Sequence, residues 1–208
     1  MSTRLDRAVG LLERSLIGTR EALGRVRPAD LARPTPCAAW DLGALLRHMD
    51  DSLGCYLEAS RGLLGLSSAA VGDDDADPAA SLRARACTLL GAWSAAAEQG
   101  LDEVALDARV GRPSPAALPA DLLVSTAALE IAAHGWDVNR SLGHRHDLLD
   151  EPLAAALVPV ARCTVGAGRE AHHFAAPVVA AAGAGSRDLL LAMLGRDPGW
   201  TARPGPLG

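Results

Sequence analysis

Glu130 and His134 stand four residues apart in Leu129-Glu130-Ile131-Ala132-Ala133-His134-Gly135-Trp136-Asp137, a stretch that reads as helix. At 3.6 residues per turn, that spacing places the two side chains on one face. A carboxylate and an imidazole one turn apart can grip a single divalent ion. A second imidazole, His48, lies far upstream in Leu45-Leu46-Arg47-His48-Met49, again in a predicted helix. Together, His48, Glu130 and His134 would make a three-ligand site with one position open, the pattern of a catalytic zinc rather than a structural one. Mixed nitrogen and oxygen ligation without thiolate suits zinc, and it also admits nickel, manganese or iron.

A helix-surface carboxylate and a core histidine are the ordinary alternatives for Glu130 and His134. Their neighbours argue for the metal reading without closing the others. Thr126, Glu130, His134, Asp137 and Ser141 follow one helical face, while Ala127, Ala128, Ile131 and Ala132 occupy others. A polar line on a helix rich in Ala and Leu faces solvent or lines a bundle pocket. Asp137, one turn beyond His134, could orient that imidazole or add a ligand, and Asp51, one turn after His48, could do the same there. His144 and His146 read as surface-loop residues, and the places of His172 and His173 are open.

These residues need long helices to hold them. Apolar positions at Leu5, Val9, Leu12, Leu16 and Leu23 give residues 3–24 a helical repeat. Pro28, Pro34 and Pro36 force a loop, and Asp41 then starts a helix running to about Leu64. An acidic connection from Gly72 to Pro78 leads to a third helix over 79–99, with Leu82, Leu89, Leu90 and Trp93 as its stripe. Residues 100–117 read as a long excursion. A fourth helix spans 119–142 and stops at Gly143, a natural residue for the C′ position. A fifth covers 151–168, with Pro152 where proline is tolerated. Phe174 to Val179 is short and extended, and Ser186 caps a last helix over 187–195. Long helices with at most one extended piece predict an all-α bundle. One domain is expected, with a bundle over 1–170 and a C-terminal extension over 171–208 packed on it.

Composition narrows the function. The chain has 208 residues, is 49% hydrophobic and carries a net charge of −5. That is enough apolar matter for a full core. Scattered basic residues and a pI near 5.6 argue against nucleic acid. Apolar runs are broken before membrane-spanning length, and the first residues, Met-Ser-Thr-Arg-Leu-Asp-Arg, lack the apolar core of a signal peptide. A cytoplasmic protein, monomeric or homodimeric, is expected. Every basic residue other than histidine is Arg, with no Lys, which reads as the codon bias of a GC-rich host. Cys37, Cys55, Cys87 and Cys163 form no CxxC pair, so free thiols are expected, most of them buried. Cys37, just before a helix, is the one whose position could lower its pKa.

Thr35-Pro36-Cys37-Ala38-Ala39-Trp40-Asp41 followed by Leu45-Leu46-Arg47-His48-Met49 resembles the N-terminal signature of the DinB-like superfamily. More narrowly, it is similar to the mycothiol-dependent maleylpyruvate isomerase group and its single-domain actinobacterial relatives. Glu130-x3-His134-Gly135-Trp136-Asp137, then Arg140-Ser141-Leu142-Gly143, looks like that group's second signature, and Leu189 to Trp200 looks like the ending of the single-domain relatives. The resemblance spans about residues 5–200. It implies a four-helix bundle with a short C-terminal extension and a metal, most often zinc, on His48, Glu130 and His134. The maleylpyruvate isomerases carry a further domain that this length does not hold, which counts against maleylpyruvate itself as the substrate and leaves the substrate open.

The chemistry that follows is thiol activation. At the open position a thiol, mycothiol in this group, would lose its proton and attack an electrophilic carbon. Addition and release isomerise an activated alkene, whereas retention of the sulfur gives an S-conjugate. Trp40, Asp51, Asp137 and Arg140 are candidate pocket residues, and Arg169 could bind a carboxylate. Water at the open position would instead make a hydrolase of amides or S-conjugates. A non-catalytic bundle that binds a small molecule is the third reading.

Overall fold

The computed structural model describes residues 3–38, 40–65, 77–106, 116–145, 148–170 and 175–202, with the backbone alone over 166–170. Most of the acidic connection, His146, His172, His173 and Phe174 lie outside the described residues, as does the side chain of Arg169.

The chain enters α1 (Arg4–Leu23) through a capping box: the Asp6 amide donates to Thr3 Oγ1 at 3.0 Å, and the Thr3 amide donates to Asp6 Oδ2 at 2.6 Å. Leu5, Ala8, Leu12, Leu16 and Leu23 bury its inner face. A short 3-10 turn over Pro28–Asp30 and the proline-rich loop follow. Asp41 then caps α2 (Leu42–Ala59), its Oδ1 accepting from the Ala44 amide at 2.8 Å. Asp77 caps α3 (Pro78–Glu98), whose stripe of Leu82, Ala86, Leu89 and Trp93 is buried. The remaining helices are α4 (Ala120–Ser141), α5 (Glu151–Glu170) and α6 (Ser186–Met193).

Each of α1, α3, α2 and α4 packs on the next in that order, and α4 closes the ring on α1. This is the four-helix bundle, with α5 against α4 and α1, and α6 against α5. Helix α4 is the central element: residues 127–139 are buried on every side except at Glu130. A helix apolar nearly all round belongs in a core, so the few polar groups it carries are placed inside the protein. Its approach to α1 is close. Thr19 Oγ1 donates to the Ile131 carbonyl at 3.0 Å, and a methyl at Gly135 would collide with that same hydroxyl.

Two expectations are corrected. The second helix stops at Ala59, not near Leu64, because Ser60 caps it and Gly62 turns the chain at φ 84°. The chain beyond it is extended: β1 (Leu63–Leu64) pairs in parallel with β2 (Glu103–Leu106), and β2 pairs antiparallel with β3 (Ala117–Pro119), Val104 facing Leu118. The 100–117 excursion therefore begins and ends in a small sheet rather than running as one loop. Fully buried Val104 anchors it, and β3 runs directly into α4. The second correction is at α6. Gly185, not Ser186, takes the N-cap position, and the Arg187 amide donates to Glu151 Oε2 at 3.3 Å, so a carboxylate from α5 replaces the missing cap.

All four cysteines are free. Cys37 and Cys55 are half-buried, and Cys87 and Cys163 are exposed, against the expectation that most would lie in the core.

Candidate metal centre

Asp41 starts α2 so that His48 stands almost two turns in, facing α4. Trp40, just before the cap, lies over it, with ring centroids 4.4 Å apart. The His48 and His134 rings meet edge to face at 5.1 Å, and Trp40 is 6.2 Å from His134. His48, Glu130 and His134 each offer a ligand atom, and these atoms lie within 4.8 Å of one another. His48 Nε2 is 3.3 Å from Glu130 Oε1. Side-chain exposure falls from 36% at His48 to 23% at Glu130 and 9% at His134, so the cluster opens to solvent on the α2 side.

Both groups from α4 are tethered behind the cluster. Tyr56, two turns beyond His48 on α2, donates its hydroxyl to Glu130 Oε2 at 2.9 Å. Burial alone would raise the Glu130 carboxyl. Its hydrogen bond with His48, the nearby His134 and the Ser52 hydroxyl outweigh that and hold it at about 2, so it is a carboxylate. Burial, followed by the Glu130 charge, pushes the Tyr56 phenol well above its ordinary range and keeps it a donor.

On the other ligand, His134 Nδ1 is 2.9 Å from Asp137 Oδ2. Arg196 Nη2 donates to the same oxygen at 3.0 Å, and Asp137 is wholly buried. Burial would raise Asp137, but Arg196 and His134 outweigh it and the carboxyl is lowered. An ionised carboxylate only accepts, so the shared proton sits on Nδ1, and Nε2 is the nitrogen left with a free lone pair.

Arg196 was not among the residues singled out by sequence. Gly195, at φ 79° and too close to Ala175 and Ala176 to bear a side chain, turns the chain after α6. The guanidinium then enters the protein, with Nη1 on the Leu194 carbonyl at 2.7 Å. A signal existed: an arginine after a C′ glycine, beside buried Leu190, Leu191 and Leu194. Tyr56 had one too, since His48, Ser52 and Tyr56 recur every four residues on α2.

The other sequence candidates are placed differently. Asp51 is exposed and makes no hydrogen bond to His48. Arg140 lies over the Trp136 ring at 5.2 Å and donates to the His144 carbonyl at 3.2 Å. It lines a separate surface cavity of about 270 Å³ with His144, Arg145 and Trp200. Thr126 bonds back to the Leu122 carbonyl, whereas Ser141 is buried. Burial first, then Glu58, Asp51 and Glu130, push the Cys55 thiol up, so this neighbour is no ready thiolate.

No helix among the described residues is long and apolar enough to cross a membrane. Comparison with curated proteins and with solved structures gives no significant match. The family described as mycothiol maleylpyruvate isomerase N-terminal domain matches residues 12–139. The matched span takes in His48, Glu130, His134 and Asp137 and stops short of Arg196. The match covers more than half of the chain, and the bundle agrees with it: this protein belongs to the mycothiol maleylpyruvate isomerase N-terminal domain family, a DinB-like group.

Proposed function

We propose that the bundle is a metal-dependent enzyme that uses a low-molecular-weight thiol, mycothiol, to isomerise or S-conjugate a small electrophilic substrate. The observation that carries this reading is the convergence of His48, Glu130 and His134 within 4.8 Å of one another in a chain of this family. The donors fit a zinc ion: two imidazole nitrogens, one of them with its other nitrogen tied to Asp137, and one ionised carboxylate. A zinc ion held by these three residues supplies Lewis acidity that favours thiolate over thiol at the remaining position.

The protein's own groups set the surroundings. Asp137 and Arg196 keep the His134 proton on Nδ1, His48, His134 and Ser52 hold Glu130 ionised, and the Tyr56 hydroxyl donates to its second oxygen. Trp40 stands beside both imidazoles and walls one side of the opening. In the isomerisation, a sulfur–carbon bond forms as the alkene π pair moves onto a conjugated carbonyl. Rotation follows, the pair returns, and the thiolate leaves unchanged. In S-conjugation the carbon takes a proton instead and the sulfur stays.

Titration of the cobalt-loaded protein with mycothiol tests this reading. A sulfur-to-cobalt charge-transfer band, with acceleration of mycothiol addition to activated alkenes, is the expected result. No band, together with thiol-independent hydrolysis of amides or S-conjugates, would contradict it.

A further inference from the structure

The two oxygens of Glu130 have different surroundings. Oε1 faces the cluster, 3.3 Å from His48 Nε2. Oε2 is turned into the protein, where the Tyr56 hydroxyl donates to it at 2.9 Å. Behind it, Met49, Ser52, Leu53, Tyr56 and Ile131 line a void of about 10 Å³, room for about one water and no more. Tyr56 is itself fixed from below, since Trp93 Nε1 donates to its backbone carbonyl at 3.1 Å and Trp93 is fully buried.

We propose that Tyr56 is a positioning residue that limits Glu130 to a single coordinating oxygen. The inference rests on the metal reading above and goes beyond it by assigning what keeps a place for the thiol. A carboxylate can ligate through one oxygen or both. Both oxygens plus two imidazoles fill the four positions a tetrahedral zinc prefers. One oxygen plus two imidazoles leaves a position vacant. The phenol hydrogen engages Oε2 and, with Met49, Leu53 and Ile131 lining the small space beside it, holds the carboxylate in the one-oxygen orientation.

Cobalt-loaded wild type and Tyr56→Phe are compared by visible absorption, cobalt affinity and mycothiol titration. Wild type is expected to show the intense bands of four-coordinate cobalt. Tyr56→Phe should bind cobalt about tenfold more weakly, with weaker bands as the coordination number rises and a diminished thiolate band. A role confined to packing would lower the melting temperature of the metal-free variant and leave the bands alone, so unchanged bands and an unchanged thiol response overturn the proposal. If Tyr56→Phe does not fold, X-ray absorption on zinc-loaded wild type decides: one carboxylate oxygen in the inner shell supports the proposal, and two overturn it. Wild type that takes up no cobalt would overturn the metal reading and this inference together, which separates that failure from a failure of Tyr56 alone.

Discussion

His48 and His134 each have an aspartate three residues further along the same helix, and only one of them uses it. On α4, Asp137 is buried, bonded to His134 and paired with Arg196. On α2, Asp51 points to solvent and leaves His48 to the Trp40 ring. The spacing is the same and the surroundings differ. Helix α4 runs through the core, where a carboxylate must find partners or not ionise. Helix α2 lies at the edge, where water satisfies Asp51 at no cost. The α4 half of the candidate site is therefore pre-set, while the α2 half carries its most exposed side chain, His48.

Breaking the buried pair should have the largest effect. Asp137→Ala leaves the Arg196 guanidinium buried without its carboxylate and should cost about 3–5 kcal/mol of stability, measured by denaturant unfolding of metal-free protein. A loss under 1 kcal/mol, within the range of ordinary surface substitutions, would mean that the pair is open to water. Next is the helix contact that seats α4. Gly135→Ala forces a methyl against Thr19 Oγ1 and should cost about 1–3 kcal/mol, with a weaker metal site as α4 shifts. Unchanged stability there would show that α1 and α4 yield easily.

The α2 half should respond more mildly. Trp40→Leu removes the ring beside His48 and should weaken metal binding by about 1 kcal/mol in competition with a chromophoric chelator, without unfolding the protein. Asp51→Ala should be the smallest change, within about 0.5 kcal/mol in both stability and metal affinity. A large loss at Asp51 would erase the contrast between the two halves.

Legibility followed the same division. Glu130, His134 and Asp137 could be read from sequence because helical periodicity alone brings them to one face, and α4 is regular over its whole length. His48 could be read as a helical imidazole able to complete their ligand set, and the family resemblance points to the same three residues. Arg196 offered only a local signal, since its partner is 59 residues away and the pattern around Gly195 does not say where the turn after α6 will land. Tyr56 shares the four-residue repeat of His48 and Ser52 on α2, but only its hydroxyl, reaching across to Glu130, gives it a role. The sheet escaped because its strands are two to four residues long, too short for alternation to show, and β1 sits where a helical pattern could continue past Gly62. Arg140 shows the limit of a local motif. It is in the second signature and on α4, yet it turns to Trp136 and the end of the helix.

In the proposed site His48, from the exposed half, and Glu130 and His134, from the buried half, hold one metal ion. Elemental analysis of purified wild type beside His48→Ala tests it most directly, with circular dichroism on the same samples. Wild type should carry about one equivalent of zinc or a related divalent metal, His48→Ala should lose most of it, and both should show the same helical spectrum, because the core around α4 does not depend on His48. Equal metal content in the two proteins, or none in wild type supplied with zinc, would contradict it.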